Sequence, residues 1–118
     1  MKSRRPIIQP RFRIICGRDI ALGPGKAELL EHVQKAGSIA EAAKGMGMSY
    51  MRAWKLIKTM ERCFKEPLVK VVRGGAGHGG AELTASGKRA VQLYRELERT
   101  SLKASAGARK QLVALLRD

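Results

Sequence analysis

The sequence predicts a mainly α-helical domain with a small β component, and three features carry that prediction. Apolar residues recur at spacings of three and four along most of the chain, Ser38, Ser49 and Thr84 stand where helices would begin, and two short β-type runs flank turn residues. A length of 118 residues suits one domain around one core. Residues 1–10 read as a basic arm, 11–104 as the domain, and 105–118 as a C-terminal tail or helix extension.

Arg11–Cys16 alternates polar and apolar residues, Gly17-Arg18-Asp19 offers a turn, and Ile20–Leu22 resumes the alternation, which predicts a short N-terminal hairpin. After Gly23-Pro24-Gly25, residues Leu29, Leu30, Val33 and Ala36 predict a first helix over about 25–36, stopped by Gly37. Ser38-Ile39-Ala40-Glu41 has the form of a capping box, so a short second helix starts at Ser38 and ends at a left-handed Gly47. Ser49 caps a third helix that runs to about Lys65, with Ala53, Trp54, Ile57, Met60 and Phe64 on its apolar face. Its opposite face carries Tyr50, Arg52, Lys55, Thr59 and Arg62.

Pro67 prevents much further helix, and the β-branched run Leu68–Arg73 begins a hairpin. Its tip is the glycine-rich loop 74–80 and its return strand is Ala81–Leu83. Thr84 caps a long fourth helix reaching about Ala104. Beyond it, Gln111–Leu116 either resumes as helix after a break at Gly107 or frays.

The chain holds 24 lysines and arginines against 10 aspartates and glutamates, a formal charge of +14 on a small body. Such a surplus attracts polyanions and repels itself unless a partner offsets it. The excess is uneven: residues 24–48 are neutral, whereas 1–23, 49–83 and 84–118 carry +5, +4 and +5. The neutral segment is therefore scaffold and the others present surface. No apolar run approaches the ~20 residues of a membrane span, and prolines and arginines interrupt any signal core near the N-terminus, so a cytoplasmic protein without membrane association is expected. Cys16 and Cys63 are then expected to remain free thiols, buried as small hydrophobes.

Catalysis finds little support. His32 and His78 lack Cys, Asp or Glu neighbours at metal-site or triad spacing, and Gly87-Lys88 is followed by Arg89 where a phosphate-binding loop needs Ser or Thr. No enzyme activity, cofactor or metal is expected. Two helices joined by a tight turn, the second exposing cations, followed by a β-hairpin, form the order of a winged helix-turn-helix. The major groove is about 12 Å wide and admits one helix, which the preceding helix buttresses while the hairpin reaches neighbouring backbone.

On this reading Tyr50, Arg52 and Lys55 face base edges in double-stranded DNA, and Ser38, Ser49, Lys58 and Thr59 position the backbone. Arg73 and His78 serve the glycine-rich wing, residues 69–83, on adjacent backbone. Glu61 is the only acid across 49–65, which favours a binding face over a merely solvated one. Trp54 is assigned to the core. The stripe Val91, Tyr94, Leu97 and Leu102 on the fourth helix is expected to mediate a homodimer.

The stretch GSIAEAAKGMGMSYMRAWKLIKTMERCFKEPLVKVVRGGAGHGGAELTASGKR resembles the N-terminal winged-helix domain of the ModE-type molybdate-responsive regulators, as does the preceding ALGPGKAELLEHV. IKTMERCFKEPLVKV resembles the more distant LysR-type regulators where a recognition helix runs into a strand. The likeness covers about residues 11–100, with the GSI, SYMRAW and glycine-rich motifs in order. It implies a winged-helix fold, sequence-specific DNA binding and transcription regulation by a dimer. ModE-type proteins bind molybdate through a separate C-terminal portion, which this chain is expected to lack, so no oxyanion-binding residue is carried over. The alternatives are a nonspecific nucleoid-type nucleic-acid binder, or the DNA-binding half of a two-chain oxyanion-responsive regulator with a separate effector-sensing protein.

Overall fold

The computed structural model describes residues 5–73 and 79–117, the side chain of Arg73 excepted. His78 and the loop tip 74–78 lie outside the described residues. Gly17, at φ 63°, turns the chain between strands β1 (Ile14–Cys16) and β2 (Asp19–Leu22), which pair antiparallel with Cys16 opposite Asp19. Asp19 is thus a strand residue rather than part of the turn.

Helix α1 (Pro24–Ala36) opens with proline, whose missing N–H costs nothing there, and buries Ala27, Leu29, Leu30 and Val33. Gly37, at φ 77°, ends it by donating its N–H to the Val33 carbonyl at 2.9 Å. Helix α2 (Ile39–Gly45) buries Ile39, Ala42 and Ala43, with the Ser38 hydroxyl accepting from the Glu41 amide at 3.0 Å. Gly47, at φ 67°, then redirects the chain into α3 (Tyr50–Cys63), capped by Ser49 accepting from the Arg52 amide at 3.1 Å. Helix α3 stops short of the expected Lys65 because Phe64 is already extended, and its ring packs against the core.

Strands β3 (Val69–Arg73) and β4 (Gly79–Leu83) pair antiparallel from Val69 opposite Leu83 to Arg73 opposite Gly79. Gly79 and Gly80 therefore belong to the ladder, not to the loop as the glycine count suggested. A β-carbon on Gly80 would lie 3.0 Å from the Val72 carbonyl oxygen and 3.3 Å from that of Gly37, so this strand needs glycine to approach both. The next amide, Ala81, donates to the Gly37 carbonyl at 2.8 Å and ties the wing to the α1–α2 turn.

The Thr84 hydroxyl donates to the Pro67 carbonyl at 2.6 Å and accepts from the Gly87 amide at 3.0 Å, fixing the start of α4 (Ala85–Ala104) beside the start of β3. The chain breaks at Ser105 and resumes as α5 (Ala106–Ala114). The break is not at Gly107, which lies inside α5. The Ser105 hydroxyl accepts from Arg109 Nε at 3.2 Å and itself donates to the Ser101 carbonyl at 2.7 Å, which holds the bend.

The largest fully buried side chains are Leu29, Leu30, Met60, Leu68 and Val33, so the core lies where α1, α3 and the wing meet. Each such side chain contributes about 1.5–3 kcal/mol of transfer free energy. Arg95 of α4 clamps α1, with Nε and Nη2 donating to the two Glu31 carboxylate oxygens at 3.1 and 2.6 Å and Nη1 to Glu98 at 2.8 Å. These hydrogen bonds raise its pKa above the ordinary guanidinium value. Among the described residues no helix is long and apolar enough to cross a membrane.

Three sequence expectations are corrected by burial. Trp54 is 40% exposed, because Ala53, Ile57 and Met60 define the buried face of α3 and Trp54 falls on its edge. Val91 and Tyr94, expected on a dimer face, are buried, and the Tyr94 hydroxyl donates to the Phe12 carbonyl at 2.7 Å. The N-terminal segment has taken the side of α4 that the sequence left uncovered. Cys16 is exposed, on a two-stranded hairpin too small to cover it, while Cys63 is half-buried.

Candidate nucleic-acid interface

Helix α3 divides into a buried face of Ala53, Ile57 and Met60 and an outer face that bears cations. Its N-terminal half presents a shallow depression of 330 Å³ lined by Ser49, Met51, Arg52, Lys55, Leu56 and Thr59. The structure thus brings four of the sequence-assigned residues, Ser49, Arg52, Lys55 and Thr59, to one surface. Tyr50, half exposed, is on α3 outside that lining.

The charges on α3 are not equivalent. Lys58 Nζ is 3.4 Å from Glu61 and sits 5.2 Å from the centre of the Trp54 ring. Arg62 Nη2 is 3.5 Å from Asp19 of β2. Among the described residues, Arg52 and Lys55 have no carboxylate partner within ion-pair distance. They are the cations of α3 that an incoming anion would meet without first breaking an ion pair.

The hydroxyls are already partly employed. Those of Ser38 and Ser49 accept from helix amides, which leaves each O–H proton as a donor. Thr59 Oγ1 donates to the Lys55 carbonyl at 3.0 Å and accepts from Arg62 at 3.4 Å, so its hydroxyl serves the helix. Ser38 lies at the start of α2, away from the α3 depression. Arg73 ends β3 opposite Gly79.

Met51, 56% exposed within the depression, is not among the residues the sequence pattern singled out. The signal was available, since Met51 and Lys55 stand one helical turn apart. The Cys16 and Cys63 thiols, far apart in sequence, also approach each other. Burial, then the Cys16 thiol and Asp19, push the Cys63 thiol up, with the Lys26 ammonium opposing. Lys26 donates to the Ile20 carbonyl, and its own pKa is lowered by burial and by Arg62. His32 meets Glu28 at 3.8 Å on the surface of α1.

Residues 25–88 match the bacterial regulatory helix-turn-helix proteins of the LysR family. The chain is 46% identical over 78 residues to the molybdenum transport protein ModE of Azotobacter vinelandii, a match covering 66% of this chain and 29% of that protein. It is 42% identical over 81 residues to the DNA-binding transcriptional dual regulator ModE of Escherichia coli (strain K12), covering 69% of this chain and 31% of that one. The matches span less than a third of the length of these relatives. The crystal structure of the CbnR DBD–DNA complex superposes with a TM-score of 0.54 at 24% identity, covering 76% of this chain and 95% of that chain. At that identity the likeness is one of fold.

Proposed function

The chain belongs to the LysR family of bacterial regulatory helix-turn-helix proteins, and from that premise we propose that it is a sequence-specific DNA-binding transcriptional regulator. Helix α3 lies in the major groove of double-stranded DNA, and the β3–β4 wing, with Arg73 and His78, follows the adjacent backbone. The observation that carries this reading is the surface on α3 where Arg52 and Lys55 stand without acidic partners beside exposed Met51. Arg52 and Lys55 can donate to guanine N7 and O6, Met51 and Tyr50 offer apolar contact to thymine methyl groups, and Ser49 donates to phosphate. Lys58 and Ser38 support the DNA backbone from the flanks, while Thr59, whose hydroxyl is bonded within α3, offers no donor there.

Fluorescence anisotropy against a duplex selected from a random library and its scrambled counterpart, each titrated with salt, tests this. A preference of about 10³ or more at physiological salt supports a regulator. Equal affinities with a steep salt slope defeat the specificity and leave a nonspecific binder.

The protein acts as a homodimer in this proposal, a reading supported by the apolar side chains that α4 leaves exposed. With Val91 and Tyr94 buried, the contact is assigned to the exposed part of α4, Leu93 and Leu97, with half-buried Leu102. A sedimentation coefficient of a monomer at tens of micromolar would remove it. A response to molybdate or another effector enters only through a separate sensing chain, and copurification with such a chain is its test.

A further inference from the structure

Four cations outside or at the margin of the recognition surface converge on a second concavity. Arg11, Arg13, Lys26 and Arg52 line a space of 310 Å³ between the N-terminal segment, the first turn of α1 and the flank of α3, and no aspartate or glutamate lines it. Arg11 and Arg13, two residues apart in the segment that leads into β1, both line this space. Among the described residues, neither they nor Arg52 has a carboxylate within ion-pair distance, whereas the Lys26 ammonium is occupied by the Ile20 carbonyl. Gly23, the N-cap of α1, has no side chain to accept from the first-turn amides, and those amides add partial positive charge.

We propose that this concavity holds one phosphate of the DNA backbone beside the stretch of groove read by α3. The site rests on the DNA-binding reading and deepens it. Arg52 and Leu56 line both this space and the α3 depression, so the two adjoin across these side chains and a strand at the groove edge passes from one to the other. Arginine forks match phosphate oxygens in pairs, which the unpaired guanidinium groups of Arg11 and Arg13 supply, while Arg52 at the margin remains turned to the bases. The contact fixes the register of α3 and carries no base information.

The test uses the Arg11→Ala, Arg13→Ala double variant with Arg52 retained, measured by anisotropy on the selected and scrambled duplexes. Both affinities should fall by the same factor, leaving their ratio unchanged. The salt slope should shrink by about 0.9 for each bound copy, about 1.8 for a dimer, so that between 50 and 200 mM salt the unaltered dimer loses about 12-fold more affinity than the variant. The Arg11→Lys, Arg13→Lys variant keeps the charge, guards against misfolding of the alanine form, and should retain most of the slope. Unchanged affinity and slope in a folded alanine variant overturns this site alone, as does a changed ratio. Saturable binding of inorganic phosphate, lost in the alanine variant while duplex affinity persists, assigns the pocket to a free oxyanion and also overturns it. No binding of either duplex by the unaltered chain overturns the DNA-binding reading, and this site with it.

Discussion

Replacing Gly87 by alanine should destabilise the domain although alanine is the better helix former. Gly87 lies in the first turn of α4, buried against the start of β3. A β-carbon there would sit 2.1 Å from the Leu68 carbonyl oxygen, 3.0 Å from its carbonyl carbon and 3.3 Å from its Cα. All three are backbone atoms, so no rotamer change relieves the clash, and α4 must retreat by roughly an ångström to restore van der Waals contact. That retreat pulls on the Thr84 amide, 2.9 Å from the same Leu68 oxygen, and on the Thr84 hydroxyl bridge to Pro67 and Gly87. Overpacking costs about 1–3 kcal/mol and a weakened cap about 1 kcal/mol, against at most about 1 kcal/mol gained in helix propensity. The net loss is about 2 kcal/mol, or about 8 °C in Tm for a domain of this size. Urea unfolding followed by far-UV circular dichroism measures it, with Gly107→Ala as control, since a β-carbon there meets nothing within 4 Å. The control should be neutral or slightly stabilised. A Gly87→Ala chain as stable as the parent would refute the close crossing of α4 over Leu68.

Three further perturbations probe the interface and the joints that support it. Trp54, the only tryptophan, is exposed on α3 beside Lys58, so acrylamide should quench the free chain readily and a saturating duplex should reduce that quenching; equal quenching in both states would remove Trp54 from the interface. Arg95→Lys loses the paired contact with Glu31 and should cost about 1 kcal/mol in urea unfolding, the modest value reflecting partial exposure, with a change indistinguishable from zero counting against the α1–α4 clamp. Burial, then Glu98, hold the Tyr94 phenol above its ordinary pKa, so the folded state favours its neutral form. Its contribution is complete below about pH 10 and is lost as pH rises through that value toward the raised one. Tyr94→Phe should be less stable at neutral pH by about 1 kcal/mol and decline less steeply in alkali; parallel alkaline declines of parent and variant would contradict it.

Local signals carried much of the fold. Gly37 and Gly47 mark real left-handed stops, and Ser38, Ser49 and Thr84 are real caps, because each acts through neighbours within a few residues. What depended on distant contacts was harder to read. Nothing near Tyr94 in sequence says that its hydroxyl meets the Phe12 carbonyl, or that Val91 beside it is buried in the core. Trp54 matched the apolar spacing, yet the core axis of α3 is set by Ala53, Ile57 and Met60, which leaves the indole at the edge. Gly79 and Gly80 looked like loop because glycine favours turns, whereas Gly80 is there to let its backbone approach Val72 and Gly37. On α3 the charge pattern marked Arg52, Lys55, Lys58 and Arg62 alike as cations of the outer face, and only the folding of the side chains onto Glu61 and Asp19 sets Lys58 and Arg62 apart. The basic concavity was invisible because Arg11 and Arg52 are far apart in sequence and meet only through the packing of the N-terminal segment on the domain.

Where α3 sits on its target can be measured directly by dimethyl sulfate footprinting of the selected duplex with the purified chain. The reagent modifies guanine N7 in the major groove and adenine N3 in the minor groove, so it separates the two faces of each base pair. A helix presenting Arg52 and Lys55 to base edges predicts protection of guanine N7 at the centre of each half-site, lost there when Arg52 is replaced by alanine. Protection confined to adenine N3, or binding that leaves every guanine N7 as reactive as in free DNA, would contradict a recognition helix in the major groove.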